Sequence, residues 1–142
     1  MFSDSVIDPA TIQAYLETHY RVHGEEPFVL QIGQVSSDLL FLYERHKVDS
    51  AALVTGCNPF SKELSEAENR DRQTSLAGEL TRRSLTFVRA MGQHPSNEWP
   101  GEESFLVLGL GLEAAKVLGE RFGQNAIVWC GVDAMPQLIV LR

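Results

Sequence analysis

Apolar positions recur along this chain in two rhythms, and the switches between them outline its elements. Asp8 and Pro9 stand ahead of Ile12, Tyr15 and Leu16 at helical spacing. An aspartate cap with proline at the first helical position is a helix start. Residues 19–22 and 28–32 read as short strands around His23-Gly24-Glu25-Glu26-Pro27. That connection is turn chemistry, so the pair predicts a hairpin. Ser36 or Ser37 caps a second helix carrying Leu39, Leu40, Leu42 and Tyr43, with its end near His46. Residues 51–55 form an apolar run with a β-branched end, which predicts a buried strand. In the loop that follows, Pro59 predicts an extended Asn58.

Ser65-Glu66-Ala67-Glu68 is a capping box that opens a helix running to about Arg83. Residues 85–90 form the next strand. A strand, a long helix and a strand predict a right-handed parallel crossover, the two strands being neighbours or separated by one other. A loop rich in Pro, Gly, Asn and Ser spans residues 92–101, and residues 104–108 return as a strand. Residues 112–122 read as a helix with Ala115, Leu118 and Phe122 on one stripe and Gly123 as its C-cap. Residues 125–130 and 137–141 are two last strands joined by a hairpin connection. No repeat and no composition break divides the chain. The expectation is a single globular domain over residues 1–142, of class α+β, with a central mixed sheet of about six strands and three main helices.

Composition narrows the function classes. Hydrophobic residues make up 44% and charged residues 22%, as in globular domains, which excludes disorder over the whole length. With 12 basic and 19 acidic residues the net charge is −7, a field that repels phosphate backbones and argues against a nucleic-acid partner. No apolar run approaches the roughly 20 residues that span a bilayer. The opening residues lack a basic n-region and an apolar core. No membrane association and a cytoplasmic location are therefore expected. Cys57 and Cys130 have no CxxC spacing and each ends an apolar run, so reduced, semi-buried thiols are expected rather than a disulfide or a zinc site. A nucleophilic Cys57 just past a strand has no histidine at a diagnostic spacing to support it. His19, His23, His46 and His94 complete no carboxylate motif, so neither a metal nor a cofactor is expected. Gly109-Leu110-Gly111-Leu112-Glu113-Ala114 fits a dinucleotide pattern, with Asp133 downstream. Only a hairpin follows it, and ordinary turn chemistry is the better account.

The long helix is more informative. Glu66, Glu68, Asp71 and Glu79 balance Arg70, Arg72, Arg82 and Arg83, and most of these charges solvate an outer face. The apolar stripe holds Leu76 and Leu80, and four and seven residues before Leu76 stand Arg72 and Asn69. The inward line thus turns polar at the N-terminal end. Unpaired N–H groups there favour an anion, and ligands collect beyond strand ends. Both arguments point near Asn58, Ser61 and Asn69. Trp99 is either a lid or a stacking surface. Glu103 directly precedes a buried strand and needs a partner such as Arg72 or an amide, and Gln124 is either plain turn chemistry or an amide offered to the same place. Asn58, Asn69, Glu103 and Gln124 are expected to approach one another, with Trp99 at the rim and Ser61, Arg72 and Ser104 around them.

Two functions fit that constellation. One is a pocket for a small polar ligand, with a nucleotide or phosphate-containing metabolite as the ligand a helix N-terminus suggests and Glu103 as general acid or base. The other is a non-catalytic interaction module whose polar cluster is structural. In that reading the strand over residues 137–141 lies at a sheet edge and pairs with a second chain as a homodimer.

In order and spacing these segments resemble an uncharacterised bacterial family, domain of unknown function family 3293. The matching residues are Thr55, Asn58 and Pro59 in a turn; Glu68 and Asn69 on the helix; Trp99, Pro100, Glu103 and Ser104 before a strand; and Phe122, Gly123, Gln124 and Ala126. The likeness spans about residues 12–141. Gly56-Cys57 and Gly101-Glu102 depart from the pattern. The resemblance implies no activity.

The charge balance makes one testable statement. In near-physiological salt the protein should show no affinity for duplex DNA approaching the micromolar range; a titration giving about 1 μM with a steep salt slope would contradict it.

Overall fold

The computed structural model describes residues 5–96 and 101–142. Everything is arranged about β3 (Ala51–Val54), in which all four residues are buried. Successive side chains on a strand point to opposite faces. Ala51 and Leu53 accordingly join one apolar cluster and Ala52 and Val54 another. Such a strand needs a layer on each side.

The remaining strands are β1 (His19–Val22), β2 (Phe28–Leu30), β4 (Thr86–Gln93), β5 (Glu102–Leu108), β6 (Ala126–Cys130) and β7 (Pro136–Val140). They form one seven-stranded sheet in the order β2-β1-β4-β5-β3-β6-β7. The helices are α1 (Pro9–Glu17), α2 (Ser37–His46), α3 (Glu66–Arg82) and α4 (Leu112–Arg121). The chain is therefore one α+β domain with seven strands and four α-helices among the described residues, slightly more than expected.

The sheet is also not mixed in its pairing, since every hydrogen-bonded pair of strands is antiparallel. The crossover argument nevertheless holds. β3 and β4 each run antiparallel to β5, which lies between them, so they are parallel to each other at one strand's remove. In the same way β5 and β6 flank β3, with α4 connecting them. The two strand–helix–strand units interlock, each donating a strand to the gap in the other. A crossover can be read from local pattern, but the strand that fills its gap is chosen by long-range pairing.

α3 and α4 cover one face, placing Leu76, Leu80, Ala115 and Leu118 against Val54, Phe105 and Val107. α2 covers the other with Leu39 and Tyr43. The Tyr43 hydroxyl donates to the carbonyls of Gly131 (2.8 Å) and Cys130 (3.1 Å), tying α2 to the end of β6. α1 brings Ile12 to Ile7 and Leu138 on β7. The backbone N–H of Gly33, just beyond β2, donates to the carbonyl of Pro136 at the start of β7 (2.8 Å). The sheet thus curls until its two edges approach.

Local signals behave as their chemistry requires. Asp8 and Ser36 cap α1 and α2, and both halves of the capping box form at Ser65 and Glu68. Gly123 takes a left-handed φ of 69° just past α4. Glu79 departs from the expected solvated face. It is buried and paired with Arg83 at 2.8 Å and with Arg121 of α4, so it fastens α3 to α4. A buried carboxylate is tolerated when opposite charges and hydrogen bonds meet it. Both cysteines are free and buried, and among the described residues no helix is long and apolar enough to cross a membrane.

Gly56, just past β3, marks where the sheet presses on α3. A Cβ there would lie 2.8 Å from the carbonyl oxygen of Arg72. Backbone cannot yield as a side-chain tip does. Gly56→Ala should therefore destabilise the fold by about 1–3 kcal/mol in urea unfolding, and an unchanged midpoint would refute this contact.

Candidate functional site

The segment after β3 is laced to its surroundings by side chains. Asn58, Phe60 and Ser61 have positive φ values of 46°, 55° and 59°. Asn58 is thus left-handed rather than extended as its proline neighbour suggested. Asparagine enters that region at little steric cost, and its side chain is held there. Its Oδ1 accepts from the Leu64 N–H and from Asn69 Nδ2, each at 2.9 Å. Its own N–H donates to Asn69 Oδ1 at 2.9 Å. The expected meeting of Asn58 and Asn69 is present, as a reciprocal amide pair across the loop.

Other staples come from α3 and from the turn after α4. Arg72 Nε donates to the Gly56 carbonyl (2.6 Å), and its guanidinium also reaches the Phe122 carbonyl. Gln124 Nε2 donates to the carbonyls of Cys57 (3.0 Å) and Phe122 (3.2 Å). Ser61 belongs to a separate group, with its hydroxyl 2.6 Å from Asn125 Nδ2 and 3.2 Å from the Tyr15 hydroxyl. The bonds from Arg72 and Gln124 satisfy backbone carbonyls that no ladder or helix serves.

The carboxylate that joins Asn58 is Glu102, not Glu103. Asn58 Nδ2 donates to Glu102 Oε2 at 3.1 Å. Glu103 is exposed and gives the cluster only its backbone carbonyl, which accepts from the Thr55 hydroxyl at 2.6 Å. A shift of one residue along a strand reverses the face, so the two glutamates cannot share a site. Burial raises the Glu102 carboxyl above its ordinary value, and the Asn58 amide opposes that shift. Burial also pushes the Cys57 thiol up, away from an activated nucleophile, although the Thr55 hydroxyl opposes it. Ser104 is buried on the face opposite Glu103, and its hydroxyl has no partner among the described residues. Trp99 lies outside the described residues.

The residue that sequence spacing missed is Gln73. It stands three residues before Leu76 and seven before Leu80, on the same buried stripe. Only 7% exposed, it accepts from the Gly56 N–H through Oε1 at 2.9 Å. That bond fixes the orientation of the amide. Nε2 is left buried with no partner among the described residues. Gln73 lines a cleft of about 120 Å³ between α3 and the β4–β5 pair, together with His23, Arg89, Ala90, Met91, Glu103, Ser104 and Phe105. Met91 faces Glu103 and Arg89 faces Phe105 in the ladder, so these four side chains share the α3 side of the sheet.

The N-terminus of α3 is already supplied with anions. The Ser65 hydroxyl accepts from the Glu68 N–H, Glu68 reaches back to Ser65, and Glu66 adds a second carboxylate to the first turn. Spare donor capacity therefore lies at Gln73 rather than at the helix end.

The raised Glu102 carboxyl has a pH signature. Protonation favours the folded state, so the stability it supplies is full below the ordinary value near 4.5 and is lost as pH rises through the higher folded value. Glu102→Gln retains an acceptor for Asn58 and removes the buried charge. Its melting temperature should equal or exceed the parent's at neutral pH, with the gap closing toward pH 4.5. A variant that melts lower at neutral pH would show that the charge itself holds the loop.

No curated protein and no solved structure matches this chain. One protein family does, over residues 54–127, from the last residue of β3 through α3, β4, β5 and α4 into β6. That span carries the stapled loop and most of the cleft. It covers more than half of the molecule, and the chain belongs to the family described as Protein of unknown function (DUF3293).

Proposed function

We propose that this protein binds a small polar ligand in the cleft between α3 and the β4–β5 pair. The observation that carries the reading is the buried Nε2 of Gln73, which has no partner among the described residues. A buried donor without an acceptor costs about 1–3 kcal/mol. Turning the amide over would not help, because its oxygen serves the Gly56 N–H. The rest of the polar cluster spends its capacity on the loop. The cleft is where capacity remains, and Glu103 is the one carboxylate among its described lining residues. Where chemistry accompanies binding, Glu103 is the group suited to move a proton. A cytosolic setting keeps both thiols reduced.

The competing reading is the interaction module with a structural cluster. It draws on the staples at Asn58, Asn69, Arg72 and Gln124, and on the position of β7 at a sheet edge, where a homodimer would form. Gln73→Glu separates the two readings. The variant keeps an acceptor for Gly56 and replaces the donor with a second acceptor. Native mass spectrometry of the purified protein should detect a dissociable small-molecule adduct that the variant lacks. A bare parent mass, with no thermal shift from a panel of small polar compounds, would favour the interaction module.

A further inference from the structure

We infer that the ligand of this cleft carries a carboxylate at one end and a hydrogen-bond donor, an ammonium or hydroxyl group, at the other. The inference rests on the ligand-binding reading above and adds the chemical class. Ser104, also on the cleft, has a buried hydroxyl with no partner among the described residues that can donate or accept, whereas Gln73 has donors only to offer, because Oε1 is engaged and Nε2 has no partner there. Its complement is an acceptor. Arg89 adds a guanidinium on the same wall, and it forms no ion pair with any described residue. A guanidinium and an amide N–H together match the two oxygens of a carboxylate.

Glu103 sets the other end. It emerges on the same side of the ladder as Arg89, displaced by one diagonal step, because Arg89 faces Phe105 and Met91 faces Glu103. Two opposite charges flank one cleft without pairing with each other. A ligand that meets both must offer an anion to one and a donor to the other. Met91 and Phe105 supply an apolar wall for what lies between.

Size and charge restrict the class further. At about 120 Å³ the cleft is well below the roughly 300–1,000 Å³ of a drug-sized pocket. That suits the polar end of an amino or hydroxy acid and little more. Arg89 and Glu103 cancel each other, and the whole chain carries −7. A zwitterion crosses that field without penalty, whereas a multiply charged phosphate is repelled.

The test titrates the full chain with glycine, β-alanine, acetate and glycinamide while following the Gln73 side-chain amide by NMR, assigned by its loss in Gln73→Glu. Glycine or β-alanine should shift that signal to saturation, with acetate and glycinamide each at least about tenfold weaker. Arg89→Gln should erase the advantage over glycinamide, and Glu103→Gln the advantage over acetate. Acetate or glycinamide binding as tightly as the amino acids, or indifference to Arg89→Gln, overturns the inference and leaves the ligand-binding reading standing. So does a retained adduct in a protein that none of the four probes shifts. No adduct and no shift together overturn both.

Discussion

The structure depends on a strand that needs neighbours in every direction. β3 has only four residues, all buried, and its side chains divide equally between two apolar clusters. Its backbone must be paired on both edges and its faces covered on both sides. β5 and β6 meet the first need, and α2 on one face with α3 and α4 on the other meet the second. Satisfying β3 forces the two crossovers to interlock. It also brings the chain after β3 directly against α3, close enough at Gly56 to exclude a Cβ.

That close approach sets the chemistry of the loop. Between Thr55 and Ser65 the backbone leaves the sheet and has not yet entered the helix, so its polar groups need outside partners. Asn58, Asn69, Arg72, Gln73 and Gln124 provide them. Hydrogen-bonded side chains in such a position raise rigidity more than net stability, since each bond replaces one to water. Three non-glycine residues of the loop, Asn58, Phe60 and Ser61, are held at positive φ, which isolated loops seldom sustain. Gln73 is the member of this group that is only half used. Its oxygen closes the loop, and its buried nitrogen has no partner among the described residues. In the proposed reading, loop closure and ligand recognition share one side chain.

Much of the fold was legible because its signals are local. Asp8-Pro9, Ser36, the Ser65–Glu68 box and Gly123 each act within one turn of chain, and each does what its residue type favours. The two hairpins were legible for the same reason. The site was legible in outline: Asn58, Asn69, Arg72 and Gln124 do converge on one loop. Its functional detail was not. Consecutive residues on a helix are separated by about 100°, so reading the stripe back by four from Leu76 chose Arg72, whereas reading it back by three would have chosen Gln73. Consecutive residues on a strand point to opposite sides, so Glu103 and Glu102 exchange roles with one step of register.

The sequence by itself determined where helices begin and end, which runs are strands, that β3 is buried, and that α3 turns polar toward its N-terminus. These follow from capping, spacing and solvation, which act over a few residues. Tertiary structure decided that β5 enters between β3 and β4, that Glu102 rather than Glu103 meets Asn58, that Glu79 is buried between two arginines, and that the buried Gln73 donor has no partner among the described residues. Each of those outcomes depends on the rotation of an element about its axis and on partners far away in the chain. Pattern along a sequence fixes the period of an element but leaves its phase to the packing of its neighbours.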